Sequence, residues 1–128
     1  MVTIRVVKEA PALIDAEPLY DPQYPARQVL RIIADTWTPI VLFCLKRGTR
    51  RFNELQRSIP DISKKMLIQT LRKLERRGLL DRLVHPVVPP HVDYTLTVVG
   101  TKFAEAVALL CEWAQKNKGI LKRVNFND

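Results

Sequence analysis

The stretch Arg50–Thr97, RRFNELQRSIPDISKKMLIQTLRKLERRGLLDRLVHPVVPPHVDYTLT, decides the fold. It divides into a short helix, a turn, a basic helix, a strand, a proline-rich tip and a second strand. Asn53, with Gln56 three residues on, is placed to cap the short helix; Leu55 and Ile59 face inward and Pro60 helps to end it. Ser63 is an N-cap for the basic helix, with Ile62 and Leu67 spaced as a hydrophobic staple across its start. That helix runs to Arg77 and stops at Gly78, a residue free to take the left-handed turn of a helix end. Met66, Leu67, Leu71 and Leu74 make its buried stripe, and Lys64, Lys65, Ile68, Gln69, Arg72 and Arg76 its outer face. Leu79–Val84 and Val92–Leu96 read as strands, joined by a tip that Pro86, Pro89 and Pro90 stiffen.

The charge follows the same boundaries. Lys46–Arg82 holds 12 Lys+Arg and 4 Asp+Glu, a net of +8, and the remaining 9 basic and 9 acidic residues cancel. All the net charge of the chain therefore sits on the segment around the basic helix. Cations gathered on one element suit phosphate, whose counterions they displace. Short helix, turn, basic helix and hairpin is the order of a winged helix-turn-helix. The expected fold is mostly α with a small β-hairpin.

Outside this stretch the chain reads as helical arms. Residues 1–24 form an N-terminal arm, in which Val2, Ile4 and Val6 alternate like a short strand before Pro11, Pro18, Pro22 and Pro25 interrupt it. A first helix covers Ala26–Ala34. Thr38-Pro39 resembles a cap and first-turn proline for a second helix that runs to about Arg47 before Gly48. Ile40–Leu45 is apolar without interruption, so that helix should be buried on all sides. Thr97 caps a long last helix to about Lys122. Phe103, Val107, Leu110 and Trp113 on it, with Val29 and Ile33 on the first helix, are the expected dimerisation residues. The three parts are thus 1–24, a DNA-binding domain over 25–98, and a dimerisation helix and tail over 99–128.

At 128 residues one domain is expected. No apolar run reaches the roughly 18 residues of a membrane span, and no secretory h-region is read, so a cytoplasmic, nucleoid-associated location is the expectation. Cys44 and Cys111 form no paired motif and read as core residues. GxGxxG, P-loop, HExxH and GxSxG motifs are absent, so neither an enzyme nor a cofactor is expected.

The residues expected to meet DNA are Arg50, Arg51, Ser63, Lys64, Lys65, Gln69 and Arg72, with Arg82, His85 and His91 on the wing. Gln reads adenine through two hydrogen bonds, while Lys and Arg suit guanine or phosphate. The helix N-terminus adds free N–H groups and its dipole. His85 and His91 also read as exposed loop residues without a role. With Asp93 they offer three metal ligands, but on a loose loop with no second cluster, and no metal site is assigned.

These residues resemble the HxlR-type winged-helix transcriptional regulators, relatives of the MarR group, over about Tyr24–Trp113. The resemblance rests on Trp37-Thr38, on Arg50-Arg51-Phe52-Asn53-Glu54-Leu55 and on Ile62-Ser63-Lys64-Lys65-Met66-Leu67. It continues through Leu71-Arg72-Lys73-Leu74-Glu75, Gly78-Leu79, Val88–Thr97 and Gly100. It implies a homodimer, built from N- and C-terminal helices, that sets two basic helices into successive major grooves of a near-palindromic operator. The sequence departs from the family at three places. Tyr24 stands where many members have a cysteine, so thiol sensing is not carried over. Ala34-Asp35-Thr36 replaces the usual Gly-Gly-Lys, and Lys64 replaces a proline, adding a cation. A sequence-specific regulator, expected to be a repressor, is the main reading. A sequence-tolerant chromatin-type protein and a protein-interaction module are the alternatives. The operator, the target genes, the sign of regulation and any small-molecule effector are not written in the sequence.

Overall fold

A computed structural model describes residues 19–127. The alternating segment Val2–Val6 lies outside those residues. The chain divides into two compact units, one ending at Arg31 and the other starting at Ile32. The described part of the first is a turn, in which Asp21 Oδ1 accepts the Gln23 N–H at 2.9 Å, followed by the start of helix α1 (Pro25–Ile33).

The second unit holds α2 (Thr38–Leu45), β1 (Arg50–Arg51), α3 (Phe52–Ser58), α4 (Lys64–Arg76), β2 (Leu80–His85), β3 (His91–Leu96), α5 (Val98–Lys116) and α6 (Lys118–Leu121). The strands form one antiparallel sheet in the order β1-β3-β2. Arg50 pairs with Tyr94 and Arg51 with Asp93 on one side of β3. On the other side the register runs from Leu80 opposite Leu96 to His85 opposite His91. Arg50-Arg51-Phe52, which reads as a plain extended link, thus supplies a third strand, Arg50–Arg51, and the first residue of α3. Two residues are too short to show an alternating pattern, which is why the sequence does not betray it.

The core gathers one apolar face from each of four helices: Val41, Leu42 and Leu45 from α2, Leu55 from α3, Leu67, Leu71 and Leu74 from α4, and Ala104 and Val107 from α5. Ile59, Ile62, Leu79 and Leu80 close it from the connections and the sheet. Each buried leucine contributes about 1.5–3 kcal/mol of transfer free energy. The α4 stripe differs from expectation at one position. Met66 is exposed, and Thr70 is buried in its place, its hydroxyl satisfied by donating to the Met66 carbonyl at 2.8 Å. Nor is α2 buried all round, for Ile40 and Phe43 stay exposed.

Two N-caps differ from the sequence expectation. Thr38 is the first residue of α2, not its cap, and the capping oxygens come from Asp35. Its Oδ1 accepts the Trp37 and Thr38 N–H groups at 3.0 and 2.8 Å, and its Oδ2 accepts the Thr38 hydroxyl at 2.7 Å. The carboxylate takes the two backbone donors at the very start of the helix, whereas a Thr38 cap would have served N–H groups two or three residues further on. Helix α3 begins one residue before Asn53, so the closing acceptor is Glu54, whose Oε1 takes the Arg51 N–H at 3.2 Å.

Other ends follow the sequence closely. The Ser63 hydroxyl accepts the Met66 N–H at 3.1 Å, with Ile62 and Leu67 both buried beside it. Gly78 takes φ +77°, the left-handed conformation that ends α4. The Thr97 hydroxyl accepts the Gly100 N–H at 3.0 Å and donates to the Gly78 carbonyl at 2.8 Å, joining the start of α5 to the end of α4. The long last helix breaks at Asn117. There the Asn117 side-chain amide donates to the Trp113 carbonyl at 2.8 Å and its backbone N–H turns to Trp113 and Ala114.

Candidate nucleic-acid interface

The interface is built on α4. Its 13 residues give a length of about 20 Å at 1.5 Å per residue, enough to lie along a major groove. The buried leucines fix the rotation of this helix. At about 100° per residue, Lys65, Gln69, Arg72 and Arg76 fall opposite them, and all four are exposed. Ser63, engaged as the cap, leaves the first N–H groups of the helix at the same solvent-facing end.

A cleft of about 320 Å³ separates α4 from the sheet. Lys64 and Arg72 line it from the helix and Arg82 from β2, over a floor of Phe52, Leu71 and Tyr94. Three residues expected to meet DNA thus converge on one hollow from two elements. Glu75 also lines it and offsets part of their charge. Gln69 lies toward the other flank of α4, in a shallow hollow with Trp37, Met66 and Lys73.

The remaining expected residues are dispersed. Arg50 and Arg51 are successive strand residues and so point to opposite faces of the sheet. Arg51 is exposed, with its Nε 3.8 Å from Asp93 Oδ1. Arg50 is half-buried on the Cys44 side. Burial pushes the Cys44 thiol up from its ordinary value, and the Arg50 charge partly opposes that. His85 and His91 do not stand free at a loop tip. Their rings stack at 4.4 Å between centroids, and His85 Nε2 lies 2.8 Å from Asp93 Oδ2. The sequence offered Asp93 only as a candidate metal ligand beside the two histidines, and it touches both His85 and Arg51. The period of two along β3 puts it on the face of His91, so that much of the signal was present.

Lys73, which reads as a plain surface charge, bonds Asp35 Oδ2 through its Nζ at 2.7 Å. The Asp35 carboxyl is lowered to about 2. Desolvation raises it, but the bonds from Lys73 and from the Thr38 N–H and hydroxyl together outweigh that cost.

Of the residues assigned to dimerisation, Leu110 and Trp113 are 55% exposed on α5. Val107 belongs to the chain's own core at 4% exposure, and Phe103 and Ile33 pack half-buried against that core. Val107 is therefore an intrachain packing residue, a correction to the sequence reading. The helical period alone does not separate the two neighbouring apolar faces of α5. Val29 lies on α1, within the first unit. Among the described residues no single helix is long and apolar enough to cross a membrane.

A capped basic helix, preceded by a short helix and turn and followed by a hairpin that supplies a further cation, defines a winged helix-turn-helix DNA-binding protein. The HxlR-like helix-turn-helix family model matches residues 32–121, and the chain belongs to that family. It is 44% identical over 99 residues to the HTH-type transcriptional regulator YtfH of Escherichia coli K12, covering 77% of this chain and 79% of that protein. A MarR-family transcriptional regulator of Porphyromonas gingivalis W83 superposes with a TM-score of 0.74 at 36% identity, over 79% of this chain and 99% of that one. The YtfH regulator of Salmonella typhimurium does so with a TM-score of 0.70 at 40% identity, over 83% and 95%. The protein is a transcriptional regulator with a helix-turn-helix DNA-binding domain.

Proposed function

We propose that the protein is a cytoplasmic, nucleoid-associated repressor that binds a near-palindromic operator as a homodimer. The observation that carries this reading is the exposed face of α4, where Lys65, Gln69 and Arg72 project away from the leucine stripe. Set in a major groove, Gln69 and Lys65 would reach base edges. Lys64, Arg72 and Arg82, around the cleft between helix and wing, would hold the flanking phosphates. Arg51, His91 and His85 would follow the backbone under the wing, and Arg50, turned to the other face of the sheet, would contribute least.

Dimerisation is supported by the apolar surface α5 leaves in solvent. Leu109, Leu110 and Trp113 are 66%, 55% and 55% exposed on consecutive turns. A small domain gains stability by burying such a face against a copy of itself. Two copies related by a twofold axis read two half-sites about one helical turn, roughly 34 Å, apart or a multiple of it. Repression then follows from occupancy of a site that polymerase needs.

Selection of bound duplexes from a random library at near-physiological salt tests this. An inverted repeat with half-sites at helical-turn spacing is the expected result. Retention of DNA without an enriched motif would replace it with a sequence-tolerant chromatin-type protein. Failure to bind at any salt would leave a winged helix used for protein contacts.

A further inference from the structure

We propose that the wing carries a binding site for one divalent transition-metal ion of the zinc class, formed by His85, His91 and Asp93. The three ligands do not hang from a loose loop, as the sequence suggests. His85 ends β2, His91 begins β3, and the two are direct register partners across the sheet. Asp93, two residues along β3, projects from the same face. One ligand atom from each residue lies within 4.8 Å of the other two.

The paired strands fix the backbone at all three positions, so little conformational entropy is left to lose on binding. Two imidazole nitrogens and a carboxylate oxygen are the donor types that zinc takes at about 2.0–2.2 Å, with a fourth position left to water. Ligands around such an ion lie about 3.4 Å apart in tetrahedral geometry. Asp93 is oriented in advance for this. Its Oδ2 faces His85 Nε2 at 2.8 Å, while its Oδ1 lies 3.8 Å from Arg51 Nε. A metal-bound carboxylate in proteins is commonly held by such an outer partner on its second oxygen. An ion between Asp93 and His85 takes the place of the proton that joins them now.

The stack and the His–Asp bond have a plainer purpose, to pin the two strands where the loop 86–90 begins. An ion does the same with stronger bonds, and the mouth of the wing is where a clamp limits movement most. The site shares His85 and His91 with the wing contact proposed for DNA, but metal titration of the DNA-free protein tests it separately.

Titration of the full chain with zinc by calorimetry, and with cobalt followed by its visible absorption, tests the site. One ion per chain is expected, with cobalt bands of tetrahedral character. His91→Ala and Asp93→Asn should each weaken binding by at least about tenfold, with an unchanged far-UV circular dichroism spectrum. His85→Gln, which keeps a polar side chain on the strand, should do the same. The double variant Cys44→Ser/Cys111→Ser should bind like the wild type. No bound ion at a hundred-micromolar order of free zinc, or an affinity that survives all three wing substitutions or is lost with the cysteines, would overturn the proposal.

Discussion

Lys73 Nζ, on α4, sits 2.7 Å from Asp35 Oδ2, the carboxylate that also caps α2. One side chain thus fixes the start of the central helix and the flank of the basic helix. The lowered Asp35 carboxyl gives this a pH signature. A group whose folded value, about 2, lies below its ordinary 3.8 contributes stability above 3.8 and loses it as pH falls toward 2. The carboxylate is 36% exposed, so the contribution is discounted for solvent to about 1 kcal/mol. Asp35→Asn should therefore lower the urea midpoint at pH 7, and the gap to wild type should narrow as pH falls from 4 to 2. A gap constant over that range would show that the charge is not what matters.

Gly100 reports on a different junction. A Cβ at this position would meet the Leu79 carbonyl oxygen at 1.9 Å and its carbon at 2.9 Å. Both are backbone atoms, and Thr97 ties the same turn through its N–H to the Leu79 carbonyl at 3.1 Å. Neither side can yield cheaply. Gly100→Ala should cost about 3 kcal/mol or more, as overpacked sites do. Gly119→Ala, where an added Cβ meets nothing within 4 Å, is the matched control and should be near neutral. Comparable melting temperatures for the two would refute the close approach.

The parts of the fold that were legible in the sequence are those with a local signature. Ser63, Gly78 and Thr97 announce their helix ends because each acts on backbone within four residues, and Ile62 does so through the Leu67 side chain five residues on. The hairpin was legible as two strand-like segments on either side of a proline-rich tip. Most of what escaped depends on contacts across the chain. β1 as a strand and Lys73 as an ion-pair partner are set by neighbours that the packing supplies; Asp35 as a cap is local and was hidden by the competing Thr38-Pro39 signal. Val107 was misread because two apolar faces of one helix look alike until the core chooses between them. In the candidate site, the exposed face of α4 followed directly from its leucine stripe. The convergence of Arg82 with Lys64 and Arg72 needed the fold of the wing.

The two kinds of DNA contact should separate on mutation. Arg82 reaches the cleft from the sheet, beyond the helix that would enter the groove. Arg82→Ala should weaken binding to operator and random duplex alike, and reduce the slope of log K against log salt by about 0.9. Gln69→Ala should cost about 1–3 kcal/mol on the selected operator and little on random DNA. Competition binding at several salt concentrations distinguishes these patterns. Equal losses on both duplexes for Gln69→Ala would remove it from base reading and turn attention to its hollow beside Trp37.

The α5 face makes the last test. Trp113 and Leu110 are more than half exposed, whereas Val107, one turn before, is buried in the protomer. Substitutions on the two faces should therefore fail in different ways. Trp113→Glu or Leu110→Glu puts a charge at the centre of the proposed dimer contact without touching the core. Sedimentation should then report the 14.8 kDa protomer in place of twice that mass, with the circular dichroism spectrum retained. Val107→Ala removes core methyls and should lower stability by about 1–3 kcal/mol, leaving association measurable below the melting transition. If both α5 charge variants sediment as the wild type does, the partner face lies elsewhere. The α2 residues Ile40 and Phe43, also exposed, would be the next to change.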